Sequence, residues 1–160
     1  MATFWKKKKG PRSAKVNSKK RCLALWSKII RREQPICQCC GMKEATCAHH
    51  IITRQKAVKP FWFSLSYGIA LCANCHSYKA HGTDVEDQIA FRDWLKVWLE
   101  KRGDNYDNMH LYARAAGGGL KEWELLQIET QLKEVWKSER ASQSKMGSRE
   151  ANAARGVDDL

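Results

Sequence analysis

Hydrophobic and polar positions divide this chain into three textures. Up to Arg32, Leu23, Trp26, Ile29 and Ile30 recur at helical spacing among polar residues, so one apolar stripe faces a core. Asn17 or Ser18 is placed to cap that helix and Pro35 to end it. From Ile36 to Gly82 the helical period is lost. Cys47 to Thr53 predicts a strand and Ile69 to Leu71 a second, while Arg54 to Ser66, with Pro60, Phe61, Trp62 and Phe63, predicts a long loop. The helical period then returns. Thr83 to Glu86 fits a capping box, Val85, Ile89, Phe91, Trp94, Leu95, Trp98 and Leu99 form a core-covering stripe, and Gly103 is the stop. Shorter helices are predicted from Asp104 to Ala115 and from Leu120 to Trp136, separated by Gly117, Gly118 and Gly119. The mixture predicts an α+β fold over residues 17–138, flanked by a disordered basic arm (1–16) and a disordered polar tail (139–160).

Composition narrows the choice of partner. Hydrophobic residues make up 43% of 160, with seven tryptophans, which supports one small core that a metal staple would brace. The formal charge of +12 is unevenly spread: residues 1–32 hold twelve Lys and Arg with no Asp or Glu, and residues 33–160 hold seventeen of each sign. Lys6, Lys7, Lys8 and Lys9, with Arg12, Lys15, Lys19, Lys20 and Arg21, therefore read as an arm for a polyanion, DNA above all. No apolar run is long enough for a membrane span and no signal-peptide centre is present, so a cytoplasmic location and no membrane partner are expected. Seven cysteines in that compartment point to reduced thiols and metal.

Cys37 and Cys40 form one C-x-x-C, and Cys72 and Cys75 a second, the paired knuckles from which tetrahedral structural zinc is built. Cys39 has the wrong spacing for a ligand, and Cys22 and Cys47 read as small buried residues. Four of the five histidines fall between residues 49 and 81. On a strand His49 and His50 face opposite ways, so one imidazole can bind a catalytic ion while the other, neutral near pH 7, takes a proton from water. His76, just after the second knuckle, and His81 are further candidate ligands.

The runs "CQCC", "AHHI" and "LCANCHSYKAH" resemble the HNH nucleases, the ββα-metal endonucleases, in their zinc-braced form, and are most similar to small phage-encoded members. The resemblance covers Cys37 to His81 and, more loosely, the helices to Lys137. It implies a ββα-metal core with N-terminal and C-terminal helices around it, acting in a bacterial or phage-infected cell. It also implies that His50 is the general base, and that His49, His76 and His81 hold a divalent ion, Mg2+, Mn2+, Ni2+ or Zn2+. Two positions depart from the family. Tyr67 stands where the family's middle asparagine usually lies, and His81 follows His76 by five residues, about 140° round a regular helix, so the helix would have to tighten or end there.

The expected activity is metal-dependent hydrolysis of DNA phosphodiesters, and the resemblance implies 5′-phosphate and 3′-hydroxyl ends. Arg54, Lys56 and Lys59 would grip flanking phosphates, and the basic arm would add salt-sensitive affinity. The alternative is a zinc-braced DNA-binding module without catalysis, with Tyr67 as its mark.

Overall fold

The computed structural model describes residues 14–54, 57, 59–115 and 120–155, with their side chains from residue 17 to residue 138 except that of Lys59. Lys6, Lys7, Lys8, Lys9, Arg12 and Lys56 lie outside the described residues. In chain order the elements are α1 (Ala14–Glu33), β1 (Cys47–His50), β2 (Gly68–Leu71), a π-helical turn (Cys75–Ala80), α2 (Val85–Glu100), α3 (Tyr106–Ala115) and α4 (Glu122–Arg155). Two 3₁₀ turns, Lys59–Phe63 and Leu65–Tyr67, occupy the connection between the strands. No helix among the described residues is long and apolar enough to cross a membrane.

β1 and β2 pair antiparallel, with His49 opposite Ile69 and His50 opposite Gly68. Strand alternation then assigns the two faces of the ribbon. Ile69 and Leu71 join Phe91, Leu95, Leu99 and Met109 in one apolar cluster under α2 and α3. Ala70 joins Trp26, Ile29, Ile30, Leu125 and Leu132 in a second under α1 and α4. Ile29, Ile30, Ile69 and Leu71 are all 0% exposed, each worth about 1.5–3 kcal/mol of burial. Gly68 is required by this packing, because a Cβ there would lie 2.5 Å from Ile30 Cδ1 and 2.8 Å from Trp26 Cζ2.

The outer edge of β2 is covered by the chain that leaves α1. Ala70 N–H donates to Gln34 Oε1 at 2.9 Å, and Ala70 O accepts from Gln38 N–H at 3.0 Å. The second of these bonds ties the first knuckle to the strand that carries the second. On the far side α1 is pinned to α4 by polar contacts: Arg21 Nε donates to both carboxylate oxygens of Glu129 at 3.0 Å, and Lys133 Nζ lies 2.8 Å from Glu129 Oε1.

Several boundaries move from the predicted ones for identifiable reasons. α1 begins at Ala14, ahead of both proposed caps. Ser18 is 1% exposed and spends its hydroxyl on Glu122 Oε1 at 2.7 Å. β1 stops at His50, where the ladder gives way to a bend at Ile51 and Ile52. α2 is capped by Asp84 in place of Thr83, its carboxylate accepting from Glu86 N–H and Asp87 N–H. Val85 and Ile89 are exposed, so the buried stripe of α2 is Phe91, Leu95 and Leu99. Its end is a Schellman motif: Gly103 takes φ +78°, with bonds from Asp104 N–H to Leu99 O and from Gly103 N–H to Glu100 O, both 3.0 Å. The backbone of α4 stays helical to Arg155, through most of the tail predicted to be disordered from residue 139.

Candidate functional site

The first knuckle is a tight turn between α1 and β1. Gly41 takes φ +66°, a left-handed conformation that glycine adopts freely, and its N–H bonds Cys37 O at 2.8 Å. Cys37 N–H bonds Lys43 O at 2.8 Å, closing the loop. The backbone N–H groups of Met42 and Lys43 are aimed at Cys40 and hold its thiol down at about 6. In the second knuckle, Cys72 directly follows β2 and Cys75 opens the π turn. Cys75 N–H points at Cys72 Sγ, 3.5 Å away, and holds that thiol below its ordinary range. Burial pushes Cys75 the other way.

The four sulfurs of Cys37, Cys40, Cys72 and Cys75 lie within 4.8 Å of one another. Backbone donors that favour thiolates, on a compact quartet of soft ligands, fit a metal such as zinc. Cys39 is half-buried with its thiol raised by burial, and stays outside the quartet. Cys22 is buried as expected, its Sγ 3.4 Å from Leu125 O. Cys47 is not: it is half-buried beside Thr46.

A second cluster uses the same two segments. Ring nitrogens of His49, His76 and His81 lie within 4.8 Å of one another, with ring centroids 5.5 Å apart for His49–His76, 4.8 Å for His49–His81 and 4.7 Å for His76–His81. The five-residue step from His76 to His81 would separate the rings on an α-helix. The chain resolves this by widening, not tightening: Cys75–Ala80 winds as a π-helix, whose i→i+5 bonding brings such positions onto one face. Gly82 lets the chain turn back at once, since a Cβ there would sit 2.0 Å from Tyr78 O. His49 is 7% exposed and is pushed down to about 3, first by burial and then by the charges of His81 and His76. Burial and His81 also lower His76. Both effects favour the neutral imidazole, which is the metal-binding form.

His50 stands apart from these three rings. Strand alternation turns it to the α1 face, where it stacks on Trp26 with centroids 4.0 Å apart and planes 17° from parallel. Its Nε2 lies 3.0 Å from Trp62 O. A carbonyl only accepts, so Nε2 carries the hydrogen and Nδ1 keeps its lone pair. Burial holds His50 below the ordinary histidine range, and the nearby Arg54 adds to the effect. All four histidines line one open cleft of about 800 Å³, together with Lys19 and Arg54. The Lys19 ammonium sits 4.1 Å over the Trp62 ring.

The structure thus brings together His49, His50, His76, His81 and Arg54, and gathers the four cysteines nearby. Tyr67 takes no part: its hydroxyl donates to Met109 O at 3.3 Å under α3, on the face of the sheet away from His50. Arg21, read as part of the basic arm, is committed to Glu129. Sequence reasoning missed Trp26 and Trp62 as neighbours of His50. A loop carbonyl is encoded by no residue type, and the stripe containing Trp26 signals only burial. Comparison with protein-family models, curated proteins and solved structures finds no match for this chain.

Proposed function

We propose that this protein is a metal-dependent DNA endonuclease with an HNH-type core, in which His50 is the general base. The observation that carries the reading is the convergence of His49, His76 and His81 in a cleft that also holds a separately oriented, neutral His50. His50 donates Nε2–H to the Trp62 carbonyl and takes a proton from water at Nδ1. Lys19 and Arg54 attract the phosphodiester into the cleft. His49, His76 and His81 would hold a divalent ion, which when bound supplies charge neutralisation at the phosphate and the leaving 3′ oxygen. The cysteine quartet would hold structural zinc and fix the strand against the π turn.

The Trp62 carbonyl orients His50 in this reading, so Tyr67 at the asparagine position does not by itself argue against activity. Nicking of supercoiled plasmid with Mg2+, Mn2+, Ni2+ or Zn2+ tests it. Cleavage is expected from the native chain and not from His50→Ala. Activity that survives the substitution overturns the mechanism, and salt-sensitive DNA binding without cleavage under any ion favours the non-catalytic DNA-binding module.

A further inference from the structure

We propose that Trp26 of α1, outside the strand–strand–π turn unit, is a positioning residue for His50: its indole face keeps the imidazole on the Trp62 carbonyl and leaves Nδ1 for water. The proposal rests on the nuclease reading above. His50 is held on its flat face by Trp26, at 4.0 Å and 17°, and at one edge by Trp62 O, at 3.0 Å. The two restraints are mechanically linked. Trp26 Nε1–H donates to Ser64 O at 3.0 Å, so the same indole anchors the loop that supplies the carbonyl. Trp62 Nε1–H in turn donates to Ala57 O at 2.9 Å, bracing that loop from within.

Trp26 is itself well fixed, being 2% exposed. The approach of α1 that makes stacking possible depends on Gly68, directly opposite His50 in register; a Cβ at that position would meet Trp26 Cζ2 at 2.8 Å. A tryptophan that served only the core would need bulk at this place, not a face parallel to the imidazole. An imidazole freed from that face can turn about its side-chain bonds, and displacing a reacting group by about 1 Å costs about 10²-fold in rate.

The test uses the full zinc-loaded chain with Trp26→Leu, apolar but without a flat face, and Trp26→Phe, which keeps a face; both lack the Nε1–H donor to Ser64 O, so the difference between them reads the face alone. Plasmid nicking with Mn2+ is expected to show kcat lowered about 10²-fold for Trp26→Leu with KM unchanged, and partly recovered in Trp26→Phe, which restores the face but not the Nε1–H bond to Ser64 O. A second readout needs no cleavage. The His50 Nε2–H proton is expected to be visible by NMR in the native chain and in Trp26→Phe, and lost to fast solvent exchange in Trp26→Leu.

A native chain that fails to cut removes the nuclease reading, while the NMR comparison still decides whether Trp26 positions His50. A Trp26→Leu variant with native kcat, or with its His50 N–H still protected, overturns the proposal. If Trp26→Leu loses zinc and does not fold, Gly68→Ala takes its place, because the added Cβ would press on Ile30 Cδ1 at 2.5 Å and on Trp26 Cζ2 at 2.8 Å without removing the indole. An unchanged His50 N–H signal in that variant overturns the proposal as well.

Discussion

The sulfur cluster and the imidazole cluster are built from the same two stretches of chain, yet they have opposite character. Three of the four cysteines are buried, at 0%, 4% and 5% exposure for Cys37, Cys72 and Cys75, and their geometry is closed by local turns. The histidines face a cleft, and their geometry depends on where a strand lies relative to a helical turn. A two-residue spacer places both of its ligands within one turn of chain, so each half of the sulfur site is made locally. His49 has no local partner. Its distance from His76 and His81 is fixed by the pairing of β1 with β2 and by the knuckles that clamp their ends. Dependence between the clusters is therefore one-way: the imidazole cluster should fail when the sulfur cluster fails, and not the reverse.

The largest test of that asymmetry is Cys72→Ser, or removal of metal by a strong chelator. Zinc in such quartets contributes about 10–16 kcal/mol in small folded units, against a net stability of about 5–15 kcal/mol for a whole domain. Loss of the cooperative thermal transition is expected, with loss of metal binding at the histidines; a native melting curve from Cys72→Ser would break the comparison. Next comes His50→Ala, expected to lower nicking by about 10²- to 10⁴-fold while bound zinc stays at the native level. A parallel loss of zinc would show that the two clusters are not separable.

Gly82→Ala is expected to be milder, because the added methyl meets the Tyr78 carbonyl and forces the end of the π turn open. A loss of about 1–3 kcal/mol is the scale for such overpacking. Calorimetry should find weaker Mn2+ binding at the histidines and an intact zinc quartet, and unchanged Mn2+ affinity would show that His81 is not a ligand. The smallest effect belongs to Glu129→Gln, in the α1–α4 contact remote from both clusters. Hydrogen bonds from Arg21 and Lys133 hold this carboxyl below its ordinary value of 4.5. Its contribution is thus present above pH 4.5 and fades as pH falls through the depressed folded value. Arg21 is half exposed, which limits the loss to about 1 kcal/mol. Thermal melts of native and variant chains should differ near neutral pH and converge in acid; a constant difference would assign the effect to packing.

The two sites differed as much in legibility as in structure. Both knuckles could be read directly, because ligand type and spacing together define them. The opposite facing of His49 and His50 was also readable, since strand alternation is a covalent fact. The juxtaposition of His76 and His81 was legible only through the family resemblance, because the α-helical period is the wrong ruler for a π turn. Val85 and Ile89 show the converse error, in which apolar residues at helical spacing were given to a core that does not reach them. Asp84 displaced Thr83 as cap because a carboxylate one residue later can serve two N–H groups at once. The surroundings of His50 were least readable, since they depend on how closely α1 approaches the sheet, and a glycine in a different element decides that.

The two bonds on Ala70 have a consequence for how this molecule meets copies of itself. A ribbon of two four-residue strands would ordinarily offer a free side to any extended peptide, and unsheathed sides of this kind seed intermolecular stacking. Gln34 and Gln38 occupy that side at its midpoint with one donor and one acceptor, as a neighbouring strand would. Chain-to-chain growth of the ribbon past β2 is thereby blocked by two glutamine-bearing residues that belong to neither strand.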